Sequence, residues 1–278
     1  MGIIHLTIKA VRKQPFILIL IGVLMMAAAV INAFIPVMAM IVGIIQISGG
    51  NIFESMLSVM QMMIDPGILP TLLITLAVLT VLVAVVGALL LPGYLRVVDD
   101  GIADGKKKNG LFAEGMKTSF FRFFLMLVKT VVFTAFLIVF LLVAAVPAII
   151  VTRAALTSKP DLMLVAIFID IITTGVFFMC LSFFKSYIYM WFIAASKGEE
   201  KPFAKGKAVA DRQFWGLAFT LLLFDIIFVL VLYFIYLNDN QVFRYVSGWV
   251  FTTAFFTTLA VYLLHIYSGP YDSELQEE

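Results

Sequence analysis

The chain has one cysteine, Cys180, inside an apolar run. A single thiol excludes an internal disulfide and a thiolate metal cluster. The two histidines, His5 and His265, stand at opposite ends of the sequence, a weak basis for a metal site. Charge is scarce as well: 13% of residues are Asp, Glu, Lys or Arg, about half the share in a soluble domain. A net charge of +2 is too small to indicate a nucleic-acid partner. None of G-x-x-x-x-G-K-[ST], H-E-x-x-H, G-x-S-x-G or Cys-x-x-Cys occurs. No catalytic residue, cofactor or metal site is therefore expected, and an enzyme is not the expected reading.

Hydrophobic residues fill 63% of 278 positions, against about 45–50% in soluble proteins. A soluble core could not hide that much apolar surface, but a bilayer solvates it. A crossing helix needs about 20 mostly apolar residues. The qualifying runs are 16–47, 68–91, 120–151, 162–195, 214–237 and 245–267, within one integral membrane domain, 1–278. Pro36 and Pro147 should kink their helices or mark their ends. The first run has basic residues before it and small ones at Ala27–Ala29, but it continues to Ile47, too long for a cleaved signal segment. It reads as a retained signal-anchor helix.

Lys and Arg set the orientation. Three (Lys9, Arg12, Lys13) precede the first span. Six (Arg96, Lys106, Lys107, Lys108, Lys117, Arg122) lie between spans two and three. Five (Lys197, Lys201, Lys205, Lys207, Arg212) lie between four and five. The opposite side has Arg153, Lys159 and Arg244. Both termini are thus expected in the cytoplasm, and the acidic tail (Asp272, Glu274, Glu277, Glu278) carries little topological weight. Tyr94, Tyr187, Trp191 and Trp215 fall near cytoplasmic boundaries, and Tyr245 and Trp249 near an outer one, as aromatic belts do.

An internal pattern recurs. Tyr94 is followed by Gly105 and Phe112-Ala-Glu-Gly115; Tyr187 is followed by Gly198 and Phe203-Ala-Lys-Gly206. Lys9-Ala-Val then Gln14 and Phe16 echoes Lys207-Ala-Val then Gln213 and Phe214. The unit implied is a basic interfacial helix followed by a two-helix hairpin, used three times. Phe112, Met116, Ser119/Phe120 and Phe123 recur at helical spacing, so Phe and Leu should dip into the acyl boundary while basic residues meet headgroups. Gly115 and Gly206 should weaken these helices, which would form only at the surface. The outer loop Gly49–Gly67 holds a stripe of Phe53, Met56, Leu57, Met60 and Met63/Ile64, with Glu54 its internal charge. The plain expectation is a helix on the outer leaflet; the sharper one is a lid or a docking surface.

Ionisable residues inside spans are costly and are functional candidates by default. There are four: Lys129, Asp170, Lys185 and Asp225. At about 1.5 Å per residue, Lys129, Lys185 and Asp225 each lie roughly 15 Å from the cytoplasmic boundary. Asp225 could pair with Lys129 or Lys185, while Asp170 lies nearer the outside and could be solvated there. In the plainer reading the lysines snorkel, or pair with Asp225 to hold the bundle. In the sharper one, Lys129, Lys185 and Asp225 line a polar cavity for a lipid headgroup, an ion or a proton, with Asn32, Ser182 and Ser186 adding polar atoms. Asp170 and Asp225 differ in depth and do not resemble an intramembrane protease pair. Small-residue spacings, Ala84/Ala88 and Ser182/Ser186, could pack helices. The spans lack the Gly/Pro-interrupted pair in matched halves that inverted-repeat transporters often show.

Lys9-Ala-Val-Arg-Lys-Gln-Pro-Phe16, Tyr94 through Gly105 to Phe112-Ala-Glu-Gly115, and Tyr187 through Gly198 to Lys207-Ala-Val together resemble a broad group of bacterial six-span proteins. That group includes the membrane domain in front of some glycerophosphodiester phosphodiesterases, and related stand-alone membrane proteins. The resemblance covers nearly the whole chain with motifs of low specificity. In the enzyme members the catalytic domain follows the membrane part. Here about ten residues follow the sixth run, so the resemblance implies a membrane module without its enzyme and transfers no catalytic residues.

The expected fold is all-α: a polytopic transmembrane bundle of six spans in a bacterial cell membrane, built as three hairpins each preceded by an interfacial helix. The expected function is a non-enzymatic accessory or regulatory protein acting through membrane lipids or a membrane-protein partner. The alternative is a transporter or lipid-handling protein using the charged layer.

Overall fold

The computed structural model describes residues 2–34, 61, 65–67, 69–103, 106–157, 160–238 and 240–268. Outside them lie Pro36 and the rest of the first run, the whole outer-loop stripe, Gly105, Lys159 and the acidic tail, as do the side chains of Asn32 and Tyr245. Eight helices run along the described chain: α1 Ile3–Lys13, α2 Phe16–Phe34, α3 Leu69–Ile102, α4 Leu111–Thr157, α5 Met163–Ser196, α6 Pro202–Arg212, α7 Phe214–Tyr236 and α8 Gln241–Ser268. No strand occurs among the described residues.

Local chemistry sets the breaks. Pro15 disfavours helical backbone at Gln14, and α1 stops at Lys13. After α5, Gly198 takes φ +83°. Its N–H reaches the Ala195 carbonyl and that of Glu199 reaches Ala194, the paired bonds of a glycine-capped helix end. Asn240 caps α8, its Oδ1 accepting from the Phe243 N–H at 3.2 Å. Pro147 neither ends nor divides α4, which continues ten residues further to Thr157. Likewise α3 runs through Pro92 to Ile102, well beyond the end expected near Leu91.

Among the described residues, five helical stretches are long and apolar enough to cross a membrane: Leu69–Ile102, Leu111–Thr157, Pro160–Ser196, Phe214–Ile235 and Val242–Ser268. Their outward residues would be insoluble in water: Leu164 is 81% exposed and Phe136 69%. Apolar surface of that extent belongs in lipid. The protein is a multi-pass membrane protein. At about 1.5 Å per residue, the 47 residues of α4 exceed a hydrocarbon core of about 30 Å, so its charged start, with Glu114, Lys117 and Arg122, lies outside that core.

The chain packs as two compact units. The first comprises Met1–Ala29, Ala84–Leu127 and Ser182–Glu278; the second comprises Val30–Val83 and Val128–Leu181. In the first unit Ile17, Val98, Phe123, Met190, Leu217 and Val261 are almost fully buried. Phe228 of α7 meets Phe255 and Phe251 of α8 at ring distances of 4.7 and 5.9 Å. Ala84 and Ala88 are fully buried, as small residues that pack helices are. In the second unit, Leu141, Ala145, Ala148 and Ile149 of α4 are buried, as is Ala166 of α5.

The two glycines expected to weaken surface helices instead permit contact. A Cβ on Gly115 would lie 2.9 Å from the Pro92 carbonyl oxygen, and one on Gly206 2.8 Å from the Met190 carbonyl group. Hydrogen at the α-carbon lets α4 and α6 touch the backbones of α3 and α5. The Phe112 stripe also turns inward rather than into lipid. Phe112 covers Gly93 and meets Phe16 edge-on at 6.1 Å, while Phe123 is fully buried. Phe203 packs edge-on against Trp191 at 5.0 Å. Tyr94 is likewise buried in the first unit.

Candidate functional site

Asp225 falls at the middle of α7, whose 23 residues begin at Phe214. Lys185 lies eleven residues before the end of α5. The packing of Phe183 against Phe214, stacked at 4.0 Å, joins α5 to α7 nearby. The Lys185 ammonium donates a hydrogen bond to Oδ1 of Asp225. The Asp225 and Lys185 side chains remain 50% and 28% exposed. The surface around them is apolar: Leu223, Ile226 and Ile227 are all exposed. One turn along α5 the same ammonium lies 5.6 Å from the centre of the Tyr189 ring, whose face attracts a cation. A carboxylate has about four acceptor positions and an ammonium three donors, so one hydrogen bond uses only part of what the pair can offer.

Of the expected layer, the structure brings Lys185 and Asp225 together. Lys129 belongs to the second unit, on an exposed face of α4. Ser186 is fully buried, and its hydroxyl donates to the Ser182 carbonyl at 2.9 Å, a bond within its own helix. Asp170, in the second unit, is held by protein: the Thr152 hydroxyl lies 2.9 Å from both carboxylate oxygens. Among the described residues no group of three His, Cys, Asp or Glu side chains could hold a metal ion.

Beside the ion pair lies a feature that sequence patterns did not reveal. A cavity of about 380 Å³ opens among α2, α3, α5 and α8 of the first unit, against Ile21, Leu91, Tyr189, Ile193 and Leu259 among others. No charged side chain lines it. Tyr94 contributes a ring to its wall and directs its hydroxyl to the Phe256 carbonyl at 3.5 Å.

A polar clasp holds the ends of three helices in the same unit. Lys13 ends α1, and its ammonium reaches the Asp100 and Ala103 carbonyls at 2.5 and 3.0 Å. It thereby caps the C-terminal end of α3, where a cation is favoured. Its distance to the Asp100 carboxylate is 3.6 Å. Gln14, buried, donates to the same carboxylate at 2.8 Å and to the Lys108 carbonyl at 3.1 Å. Lys197, just past α5, pairs with Asp99 at 2.7 Å, and Arg96 with Glu114 at 2.9 Å. Several cations expected to meet headgroups are therefore engaged by the protein. Helix α1 keeps three faces: Leu6, Thr7 and Ala10 buried, Ile4 and Ile8 exposed, and His5, Lys9 and Arg12 on the remaining side.

Comparisons with protein-family models, with curated proteins and with solved structures find no match to this chain. Its class rests on its own helices: an all-α, multi-pass membrane protein.

Proposed function

We propose that this chain is a non-enzymatic accessory or regulatory protein of a bacterial cell membrane, acting through a membrane-protein partner and the lipids around it. The observation that carries this reading is the Lys185–Asp225 pair, half open on an apolar surface within two spans. Lipid tails offer no hydrogen bonds, and charge near the middle of a bilayer is expensive. A partner helix with polar side chains supplies the missing surface.

Six spans and cytoplasmic termini complete the reading. The 19 residues of α2 reach about 28 Å, nearly the thickness of a hydrocarbon core. The first unit holds the start of α2, the end of α3, the start of α4, the end of α5 and the whole of α7 and α8. The basic connections fall within it, and their excess over the other connections favours cytoplasmic termini. The resemblance to membrane domains that accompany glycerophosphodiester phosphodiesterases agrees with an accessory role.

The test is recovery of tagged protein from native membranes in mild detergent, with proteins and lipids identified together, for the wild type and Asp225→Asn. A stoichiometric protein lost from the variant supports the reading. A retained lipid with no protein partner moves it to lipid handling, which the cavity beside Tyr189 favours. No difference between the two samples sinks it.

A further inference from the structure

Protein interiors keep few voids larger than a water molecule. The cavity of about 380 Å³ falls within the ~300–1,000 Å³ of small-ligand sites. Its walls are aliphatic and aromatic, and an apolar cavity does not hold water well but accepts apolar guests. Helices α3, α5 and α8, which form most of the wall, are long and apolar enough to cross a membrane. The abundant apolar guest there is hydrocarbon chain.

Charge brackets the α5 wall of the cavity along the helix. Ile188, Tyr189, Phe192 and Ile193 form the α5 wall. Lys185 precedes it by one turn and Lys197 follows it by one turn. Lys197 stands just beyond Ser196, where the span ends, and is paired with Asp99; Asp99 in turn lies one turn past Leu95, a residue of the α3 wall. Lys185 lies about 18 Å further in along the helix. A polar headgroup belongs at the Lys197 end and a chain extending from it runs toward Lys185.

We propose that this cavity is a binding site for one acyl chain, with the polar end of the amphiphile at Lys197 and Asp99. This goes beyond the partner reading, since it uses a different surface. The chain can belong to a membrane phospholipid or to a free fatty acid, which share the chemistry of the site.

The full-length protein in lipid nanodiscs is irradiated with a phospholipid carrying a diazirine in its chain, and separately with a diazirine fatty acid. Labelled peptides are then mapped. Enrichment at Ile193, Leu259 and Leu263 over exposed Leu164 is expected. Ala260→Phe, which fills the cavity, should lose that enrichment, whereas Ala254→Phe on the exposed face of α8 should keep it. Enrichment with the phospholipid assigns the site to membrane lipid; enrichment with the fatty acid alone assigns it to a free acyl chain. Labelling at the wall no higher than at Leu164 with both probes overturns the proposal, even if Ala260→Phe fails to fold, because the wild type alone gives that result. Asp225→Asn should leave the labelling unchanged, which separates failure here from failure of the partner reading.

Discussion

Lys185 donates to Oδ1 of Asp225 across forty positions of sequence, joining α5 to α7 on a surface that is otherwise apolar. The pair is too open to be explained by core packing alone and too deep in its spans to be ordinary surface charge.

Removing one member leaves a lone charge near the middle of a span. Lys185→Leu and Asp225→Leu should each lower stability by about 2–3 kcal/mol. The double substitution removes both charges and should recover most of that loss. Thermal unfolding of the purified variants in one detergent checks the sign; additive losses in the double variant would contradict it.

The close helix approaches at Gly115 and Gly206 leave no room for a methyl group against backbone. Gly115→Ala and Gly206→Ala should each destabilise by about 1–3 kcal/mol. Gly216→Ala, where an added Cβ meets nothing within 4 Å, should be neutral or stabilising. Folded yield by size-exclusion fluorescence ranks the three.

Lys13 caps α3 from a different helix. Lys13→Ala withdraws a charged donor from two carbonyls and should cost about 1–3 kcal/mol. Hydrogen exchange should accelerate locally, at Val98–Ala103 and in α1. Faster exchange spread evenly through α7 would argue against a local cap.

Orientation is tested in a Cys180→Ala background. A cysteine at Asn109 should react with an impermeant maleimide only after the cells are opened. One at Asn238, between α7 and α8, should react in intact cells. The reverse pattern would invert the topology.

Five spans were legible among the described residues because a 20-residue apolar run has few alternatives in lipid or water. The extension of α3 was not, because Arg96 and Asp99 resemble a connecting loop in a hydropathy reading, although Tyr94, Leu95, Val97 and Val98 are buried. Depth arithmetic singled out Lys185 and Asp225, since two helices bring equal depths together. The clasp at Asp99 and Asp100 joins residues 98 and 86 positions apart, beyond any local pattern. Tyr189 could have been found, being one turn from Lys185. The cavity could not, because a void depends on how four helices fail to meet.

Partner binding through the ion pair is tested with the Lys185→Leu, Asp225→Leu double variant. Its mass is measured as a complex extracted from native membranes and compared with the wild type. A folded double variant that has lost a stoichiometric protein partner present with the wild type is expected. A folded double variant that keeps the same partner in the same ratio would contradict it.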